Sequence, residues 1–235
     1  MPTCIVTGAG SGIGRAVAIE LSRRQDYDAL VLIGRRVHML EETQKLMDEC
    51  KQIYLYQFDL SDIEGIPSLI EEIFEKSGNI QCLLNIAGYT DPQALITTSI
   101  DSMSETYRIN VFAPFVMMRE CVKYMRNNRE ISKILNVAST AGITDRPGWL
   151  SYASSKAALV SMSNTLAEEL AEYRIKVYCV SPGRCATELR RKLAPSEDPS
   201  TIMQPHEVGR IICNLVAADE NCLDGQNIVI RRKGD

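Results

Sequence analysis

The sequence has few of the residues that hold metal ions. It has only two histidines, His38 and His206, and none of its eight cysteines forms a CxxC pair. Structural zinc sites combine closely spaced cysteines and histidines, so we expect no metal centre. Most of the cysteines lie in apolar stretches such as QCLLN and VYCVSP. This predicts reduced, mostly buried thiols that pack as small hydrophobic side chains.

Long apolar runs and a strong charge bias are also missing. No stretch approaches the roughly 18 apolar residues that a membrane helix needs. The N-terminus has no basic segment before its apolar residues, so a signal peptide is not expected. The net charge of −4 gives no case for nucleic acid or an anionic membrane as a partner. We therefore expect a cytoplasmic protein that acts on a small molecule, with one domain covering residues 1–235.

Short apolar runs alternate with longer segments of helical periodicity. The early runs, such as CIVTG and ALVLIG, are continuously apolar, which is typical of strands with both faces covered. Helical patterns follow at 13–24, 38–50, 63–76, 101–126 and 150–173, and a last one ends near Ala218. The alternation predicts an α/β fold: a doubly wound parallel sheet of about seven strands with helices on both faces.

A glycine-rich turn, TGAGSGIG, joins the first predicted strand to the first predicted helix. Glycine permits positive φ and lets a ligand approach the backbone, and a helix start offers N–H groups to a pyrophosphate. In this context the pattern predicts dinucleotide binding by Gly8, Ser11, Gly12, Ile13 and Gly14.

The end of the second predicted strand indicates which dinucleotide is bound. A carboxylate about 20 positions beyond the glycines usually meets the adenosine ribose of NAD. Gly34 stands there instead, and Arg35 and Arg36 follow it. Guanidinium groups suit a 2′-phosphate. The sequence therefore favours NADP(H) over NAD(H).

The motifs, in this order, resemble those of the short-chain dehydrogenase/reductase family over nearly the whole chain. The glycine turn matches the family's TGxxxGxG loop, YASSK its YxxxK pair, and SPGRCAT its PGxxxT segment. NIAG departs from the family's NNAG, with Ile86 replacing the second asparagine, and we expect little effect on the chemistry. The resemblance implies a single-domain Rossmann-type fold and a nicotinamide cofactor. It implies as catalytic residues Asn110, Ser139, Tyr152 and Lys156, and as further cofactor contacts Asp59, Leu60, Asn85, Ala87, Gly88, Tyr152, Lys156, Pro182, Gly183 and Thr187.

The YxxxK pair has a physical logic of its own. Tyr152 and Lys156 lie one helical turn apart and share a face. A tyrosine hydroxyl has a pKa of about 10, and a nearby ammonium is expected to lower that pKa. Tyr152 would then protonate a carbonyl oxygen as hydride reaches the carbon. Ser139 would hold that oxygen, and Asn110 would hold a water near Lys156.

Substrate choice in the family depends largely on the segment after SPG, here about 184–205. Arginines cluster in it, and guanidinium groups suit phosphate or carboxylate. The run is similar to that of reductases of phosphorylated ketoses. It predicts a small anionic, sugar-like carbonyl substrate bound by Arg146, Trp149, Arg184, Arg190 and Arg191.

Two other functions stay open. Many 3-oxoacyl-thioester reductases resemble this sequence, and Trp149 and Leu150 would equally line an apolar pocket for such a substrate. The second open function is an NADP(H)-binding regulator without turnover, although such proteins typically lose the tyrosine or lysine that this chain keeps. The helices predicted at 101–126 and 150–173 resemble those that pair in family dimers and tetramers, so we expect a homodimer or homotetramer.

Overall fold

Seven parallel β-strands form one sheet in the computed structural model of the protein, which describes residues 1–48, 51–223 and 225–232. In chain order the strands are β1 (Thr3–Thr7), β2 (Ala29–Gly34), β3 (Gln52–Gln57), β4 (Ile80–Asn85), β5 (Ser132–Val137), β6 (Ile175–Pro182) and β7 (Asn227–Ile230). Their order across the sheet is β3-β2-β1-β4-β5-β6-β7. The chain therefore builds outward from β1 to β3 and then returns to the other side of β1. Such a reversal leaves a crevice at the carboxyl ends of β1 and β4.

Helices connect the strands and cover both faces of the sheet. They are α1 (Gly12–Ser22), α2 (Val37–Gln44), α3 (Ile66–Ser77), α4 (Ile100–Tyr107), α5 (Ala113–Met125), α6 (Leu150–Leu170), α7 (Glu188–Leu193) and α8 (Pro205–Leu215). Single 3₁₀ turns include Thr140–Gly142 and Pro199–Thr201.

Each face of the sheet carries its own apolar core. On one face, Val17 and Leu21 of α1 pack with Val208 and Ile212 of α8. On the other, residues of α3, α5 and α6 pack together, among them Ile70, Met117 and Leu170. Strands β1, β4 and β5 are buried along their whole length, because apolar helices cover them on both sides. The predicted fold, a Rossmann-type parallel sheet with helices on both faces, is confirmed.

Two predicted helices differ from the observed ones. The helix predicted at 38–50 is α2, which ends at Gln44, and its last two predicted residues lie outside the described part of the chain. The helix predicted at 101–126 is interrupted by a π-helical turn at Arg108–Phe112, between α4 and α5. Pro114 stands at the start of α5. Proline has no N–H for an α-helical bond to the fourth residue before it, which accounts for the wider turn at this point.

The described residues contain seven cysteines, none in a disulfide. Six are buried and Cys222 is exposed, while Cys50 lies outside the described residues. Within the described chain, no group of His, Cys, Asp and Glu side chains could hold a metal ion. Nor does any helix in that part of the chain have the length and apolar character to cross a membrane.

Candidate active site

The carboxyl ends of the strands open into a cavity of about 680 Å³. Its walls are the segments that follow β1 to β6. Helix α7 lies across the cavity and approaches two of its glycines. A Cβ at Gly12 would stand 3.2 Å from Thr187 Cγ2, just before the helix, and a Cβ at Gly88 would stand 3.5 Å from Leu189 Cδ1. The cavity therefore lies at the crevice that the strand order predicts for a ligand.

The glycine-rich turn has the geometry of a pyrophosphate cradle. Gly8 has φ +69° and Gly12 has φ +52°, which only glycine adopts without strain. A Cβ at Gly14 would stand 2.2 Å from the carbonyl oxygen of Gly8, so a side chain there would open the turn. Within the described chain, the Ser11 side chain makes no capping hydrogen bond to α1. The N–H groups of the first turn are thus available to an anion, and Ile13 also lines the cavity.

The segments after β2 and β3 form the end of the cavity that an adenosine would reach. Arg35, Arg36, Asp59 and Leu60 all line it. Both arginines are exposed. Arg36 Nη2 lies 3.4 Å from Glu188 Oε2 of α7, and both of these side chains face solvent. A weak, exposed ion pair of this kind contributes about 0–1 kcal/mol, so an incoming phosphate group can replace the carboxylate.

Ser139, Tyr152 and Lys156 line the same cavity. Ser139 follows β5, and its hydroxyl accepts from Ala141 N at 3.1 Å and lies near enough to Tyr152 to lower the pKa of that tyrosine. Lys156 donates to the carbonyl oxygen of Val137 at 2.8 Å, and its ammonium lies 5.9 Å from the centre of the Tyr152 ring. A Cβ at Gly142 would stand 2.7 Å from the Lys156 carbonyl carbon. Glycine at 142 therefore lets the turn after β5 approach α6 and brings the three side chains together.

Burial changes the acidity of this tyrosine and this lysine. Burial raises the pKa of Tyr152, while the nearby Ser139 hydroxyl and the positive charge of Arg190 act in the opposite direction. Burial lowers the pKa of Lys156 to about 8. The expectation that a nearby ammonium brings the Tyr152 pKa below its ordinary value is therefore wrong for this structure: burial raises the pKa, and Lys156 is not among the groups that lower it.

Two asparagines of the predicted site lie behind the cavity wall. Asn110 is fully buried in the π-helical turn. Its Oδ1 accepts from Tyr89 N at 2.8 Å, and its Nδ2 donates to Tyr89 O at 2.9 Å and to Ser155 Oγ at 3.0 Å. Asn85 donates to Asn136 Oδ1 at 2.9 Å. Neither side chain lines the cavity, so both hold its walls rather than face a ligand in this structure.

The predicted substrate residues divide into a group at the cavity and one outside it. Arg146, Trp149, Arg184 and Arg190 line the cavity. Arg191 is exposed and lies outside the lining, because successive residues of a helix point in different directions. We therefore leave Arg191 out of the site.

A carboxylate holds two of these arginines. Glu197 accepts from Arg184 Nε at 2.8 Å, from Arg190 Nε at 2.6 Å and from Arg190 Nη2 at 2.7 Å. The Arg190 guanidinium also lies 5.5 Å from the centre of the Trp149 ring, a cation–π distance. The hydrogen bonds and charges of Arg190 and Arg184 lower the pKa of Glu197 against the effect of burial, which keeps it ionised. We call Arg184, Arg190 and Glu197 the arginine clamp.

Sequence motifs do not predict Tyr89 and Thr90, which also line the cavity. The only available signal is their position directly after NIAG, at the end of a strand. The Tyr89 ring lies 6.0 Å from Lys192 Nζ of α7. The Thr90 hydroxyl is buried without a hydrogen-bond partner in the described chain. These two residues form the part of the cavity wall that follows β4.

A parallel sheet with a glycine-rich turn at its switch point defines the general class of dinucleotide-binding α/β proteins. A family model described as short chain dehydrogenase matches residues 2–198. The chain belongs to the short-chain dehydrogenase/reductase family, and it is an oxidoreductase that acts on carbonyl or alcohol groups. The family predicted from the motifs is confirmed.

Named relatives cover almost the whole chain. The 3-oxoacyl-(acyl-carrier-protein) reductase FabG of Thermotoga maritima is 30% identical, over 97% of this chain and 95% of the relative. The NADP-dependent 3-hydroxy acid dehydrogenase of Schizosaccharomyces pombe is 28% identical, over 97% and 91%. Among solved structures, ElxO with NADP bound is 27% identical, with a TM-score of 0.86 over 97% of this chain and 96% of ElxO.

Proposed function

We propose that the chain is an NADP(H)-dependent reductase of a small carbonyl substrate that carries an anionic group. The observation that carries the proposal is the charge at the substrate end of the cavity. Four cationic side chains, Arg146, Arg184, Arg190 and Lys192, line the cavity there with two carboxylates, Asp145 and Glu188, and Glu197 behind them pairs with Arg184 and Arg190, which leaves one positive charge in excess. A surplus of positive charge in a cleft raises the local concentration of an anionic substrate.

The roles of the chain's residues follow from their positions. A bound nicotinamide dinucleotide would supply the hydride. Ser139 would donate a hydrogen bond to the carbonyl oxygen, and Tyr152 would transfer its hydroxyl proton to that oxygen. Lys156 would hold a ribose of the bound cofactor, and the walls of the cavity would exclude water. The segment at about 184–205 would serve as the substrate cover within one 1–235 domain.

Selection of NADP(H) rests on the end of β2. Gly34, Arg35 and Arg36 line the cavity there, and no carboxylate stands at the end of the strand to meet an adenosine ribose. Replacing Arg36 by alanine should lower kcat/KM with NADPH about tenfold, the loss expected for one hydrogen bond to a charged group. The value with NADH should hardly change. Equal losses with both cofactors would contradict the role of Arg36 at a 2′-phosphate.

The substrate is tested by comparing a phosphorylated ketose with its unphosphorylated analogue, each with NADPH and with NADH. We expect the phosphorylated ketose to give the higher kcat/KM, and Arg146→Met to reduce that preference through KM. No preference for the phosphorylated form would overturn the anionic substrate.

Tyr152→Phe should keep NADPH binding and lose turnover about 10²–10⁴-fold, the usual contribution of a general acid.

A 3-oxoacyl-thioester reductase is the second candidate. The FabG relative favours it, at 30% identity over 97% of this chain. Trp149 lines the cavity and Leu150 is 46% exposed beside it, so an acyl chain could lie against them. An acetoacetyl thioester in the same panel decides between the two candidates. NADPH binding with no turnover of any carbonyl would leave the third hypothesis, a regulator.

We also propose a cytoplasmic homodimer or homotetramer. The free state of the seven described cysteines supports a reducing compartment. Phe112 of the π-helical turn and Phe115 of α5 are 52% and 45% exposed. Neighbouring aromatic side chains at a surface mark association sites, and the family resemblance implies pairing through these helices.

A further inference from the structure

A carboxylate of α7 pairs with the arginine that is proposed to bind a cofactor phosphate. Arg36 Nη2 lies 3.4 Å from Glu188 Oε2, although the two residues are 152 positions apart in the chain. We propose that Glu188 competes with the 2′-phosphate of NADP(H) for Arg36, and that it thereby limits the preference for NADP(H) over NAD(H). The inference rests on the proposed use of NADP(H) and adds to it a residue that opposes the phosphate.

The ion pair joins two groups that a phosphate can separate. The Arg36 side chain is 52% exposed and the Glu188 side chain is 60% exposed, and both line the cavity. Among the described residues, no second carboxylate pairs with Arg36. A phosphate carries more negative charge than a carboxylate and offers three oxygens to a guanidinium. It can therefore displace Glu188, but the existing pair must break first, and this cost weakens the binding of the phosphate.

The position of Glu188 follows from how one face of α7 packs. A Cβ at Gly12 would stand 3.2 Å from Thr187 Cγ2, so the residue before Glu188 lies against the glycine-rich turn. Lys192 is one helical turn after Glu188 and shares its face, and its Nζ lies 6.0 Å from the centre of the Tyr89 ring. This face of α7 is therefore directed toward the segments that follow β1, β2 and β4. A dinucleotide is expected along the first two of these.

The arginine clamp holds a different side of α7. Arg190 binds Glu197 at 2.6 and 2.7 Å and lies 5.5 Å from the centre of the Trp149 ring. Arg190 is two residues after Glu188, and residues two apart on a helix do not share a face. The pair with Arg36 can therefore open while the clamp still holds the helix. A change at Glu188 should then act on the phosphate position without removing α7 from the cavity.

The competition concerns only a cofactor that carries a 2′-phosphate. NAD(H) has a hydroxyl group at that position, and an uncharged hydroxyl cannot replace a carboxylate at a guanidinium. Glu188 therefore weakens the binding of NADP(H) and leaves that of NAD(H) unchanged. Because both side chains face solvent, the effect is limited to the contribution of an exposed ion pair, about two- to fivefold in affinity.

Calorimetric titration with 2′,5′-ADP and with 5′-AMP tests the inference without turnover, because these probes differ only in the 2′-phosphate. We expect Glu188→Gln to lower the Kd of 2′,5′-ADP about two- to fivefold and to leave the Kd of 5′-AMP unchanged. In the complete reaction, the KM for NADPH should fall by the same factor while the KM for NADH stays constant. Glu41→Gln removes an exposed carboxylate of α2 that lies outside the cavity lining, and it should change neither Kd.

An Arg36→Ala background separates competition for the arginine from simple repulsion. The ion pair no longer exists in that background, so Glu188→Gln should there leave the Kd of 2′,5′-ADP unchanged. The same gain in both backgrounds would show that Glu188 only repels the phosphate, and it would overturn the inference. An unchanged or higher Kd of 2′,5′-ADP in Glu188→Gln alone would also overturn it.

The same titrations judge the proposed cofactor separately. If the parent binds 2′,5′-ADP more tightly than 5′-AMP and Arg36→Ala removes that preference, the NADP(H) proposal stands whatever Glu188→Gln does. An unchanged Kd in Glu188→Gln would then overturn the inference alone. If neither the parent nor Glu188→Gln prefers 2′,5′-ADP to 5′-AMP, the NADP(H) proposal and the inference are both wrong.

Discussion

At the scale of single residues, burial decides the chemistry of the site. Lys156 is 3% exposed and Tyr152 is 7% exposed. Desolvation disfavours the charged form of each, so the lysine becomes a weaker base and the tyrosine a weaker acid. The YxxxK spacing predicts that the two side chains share a face, and it does not predict this effect. Burial depends on the turn at Thr140–Gly142, which approaches α6 closely at Lys156 and lies outside the YASSK motif.

The lowered pKa of Lys156 predicts a pH-dependent stability. Folded Lys156 has a pKa of about 8 against an ordinary 10.5, so the unfolded chain binds more protons between these values. The destabilisation, about 3 kcal/mol, is full below pH 8 and is relieved as pH rises toward 10.5. Without added nucleotide, Lys156→Met should therefore be more stable than the parent at pH 7, with a gap that shrinks by pH 10. Urea unfolding at several pH values measures this gap.

Lys45→Met provides the matched control for this experiment, because Lys45 is exposed at the end of α2. Its stability difference from the parent should stay constant with pH. Buried thiols and tyrosines also titrate in this range, and their effects cancel when variant and parent are compared at each pH. A constant gap for Lys156→Met would contradict the lowered pKa.

At the scale of elements, the π-helical turn at Arg108–Phe112 connects the helices to the cavity wall. The turn carries Asn110 inward, where its amide binds both backbone groups of Tyr89. Tyr89 and Thr90 in turn line the cavity. A single interruption between α4 and α5 thus sets the position of a wall that follows β4. Irregular turns of this type are frequent at functional sites.

Asn110→Ala should lower the free energy of unfolding by about 2–4 kcal/mol, because two backbone groups of Tyr89 lose their partners. Asn127→Ala, in an exposed residue whose amide makes one 3.3 Å bond to Lys123 O, should change it by less than about 0.5 kcal/mol. Chemical denaturation measures both values. If the two variants lost the same stability, the bonds to Tyr89 would not be what holds this wall.

The strands could be predicted from the sequence far better than the arginine clamp and the π-helical turn. Continuous apolar runs such as ALVLIG match β2 residue for residue, because strands covered on both faces need no polar positions. Apolar spacing looks alike in α and π turns, so the helix at 101–126 is predicted unbroken. The bond between Arg190 and Glu197 depends on the path of a short loop, which no periodicity reports.

At the scale of the whole molecule, parallel topology gathers the site. Gly8, Arg35, Gly88, Ser139 and Gly183 each stand just after a different strand, yet all line one cavity. Their sequence separation is large, and their proximity follows from having every strand point the same way. The helices on the outer faces are then free for association. Of these, α5 presents one exposed aromatic side chain, Phe115, next to the exposed Phe112 of the π-helical turn.

Phe115→Glu should disrupt the proposed assembly. Phe115 is 45% exposed on α5, and a carboxylate there would have to lose its water in an apolar interface. We expect the parent to sediment as a dimer or tetramer. The dissociation constant of the variant should be at least tenfold higher, and each tenfold rise corresponds to a loss of about 1.4 kcal/mol of association free energy. Leu46→Glu, at a position 55% exposed just after α2, should leave the assembly intact. A monomeric parent, or equal effects of the two variants, would show that this face of α5 does not pair.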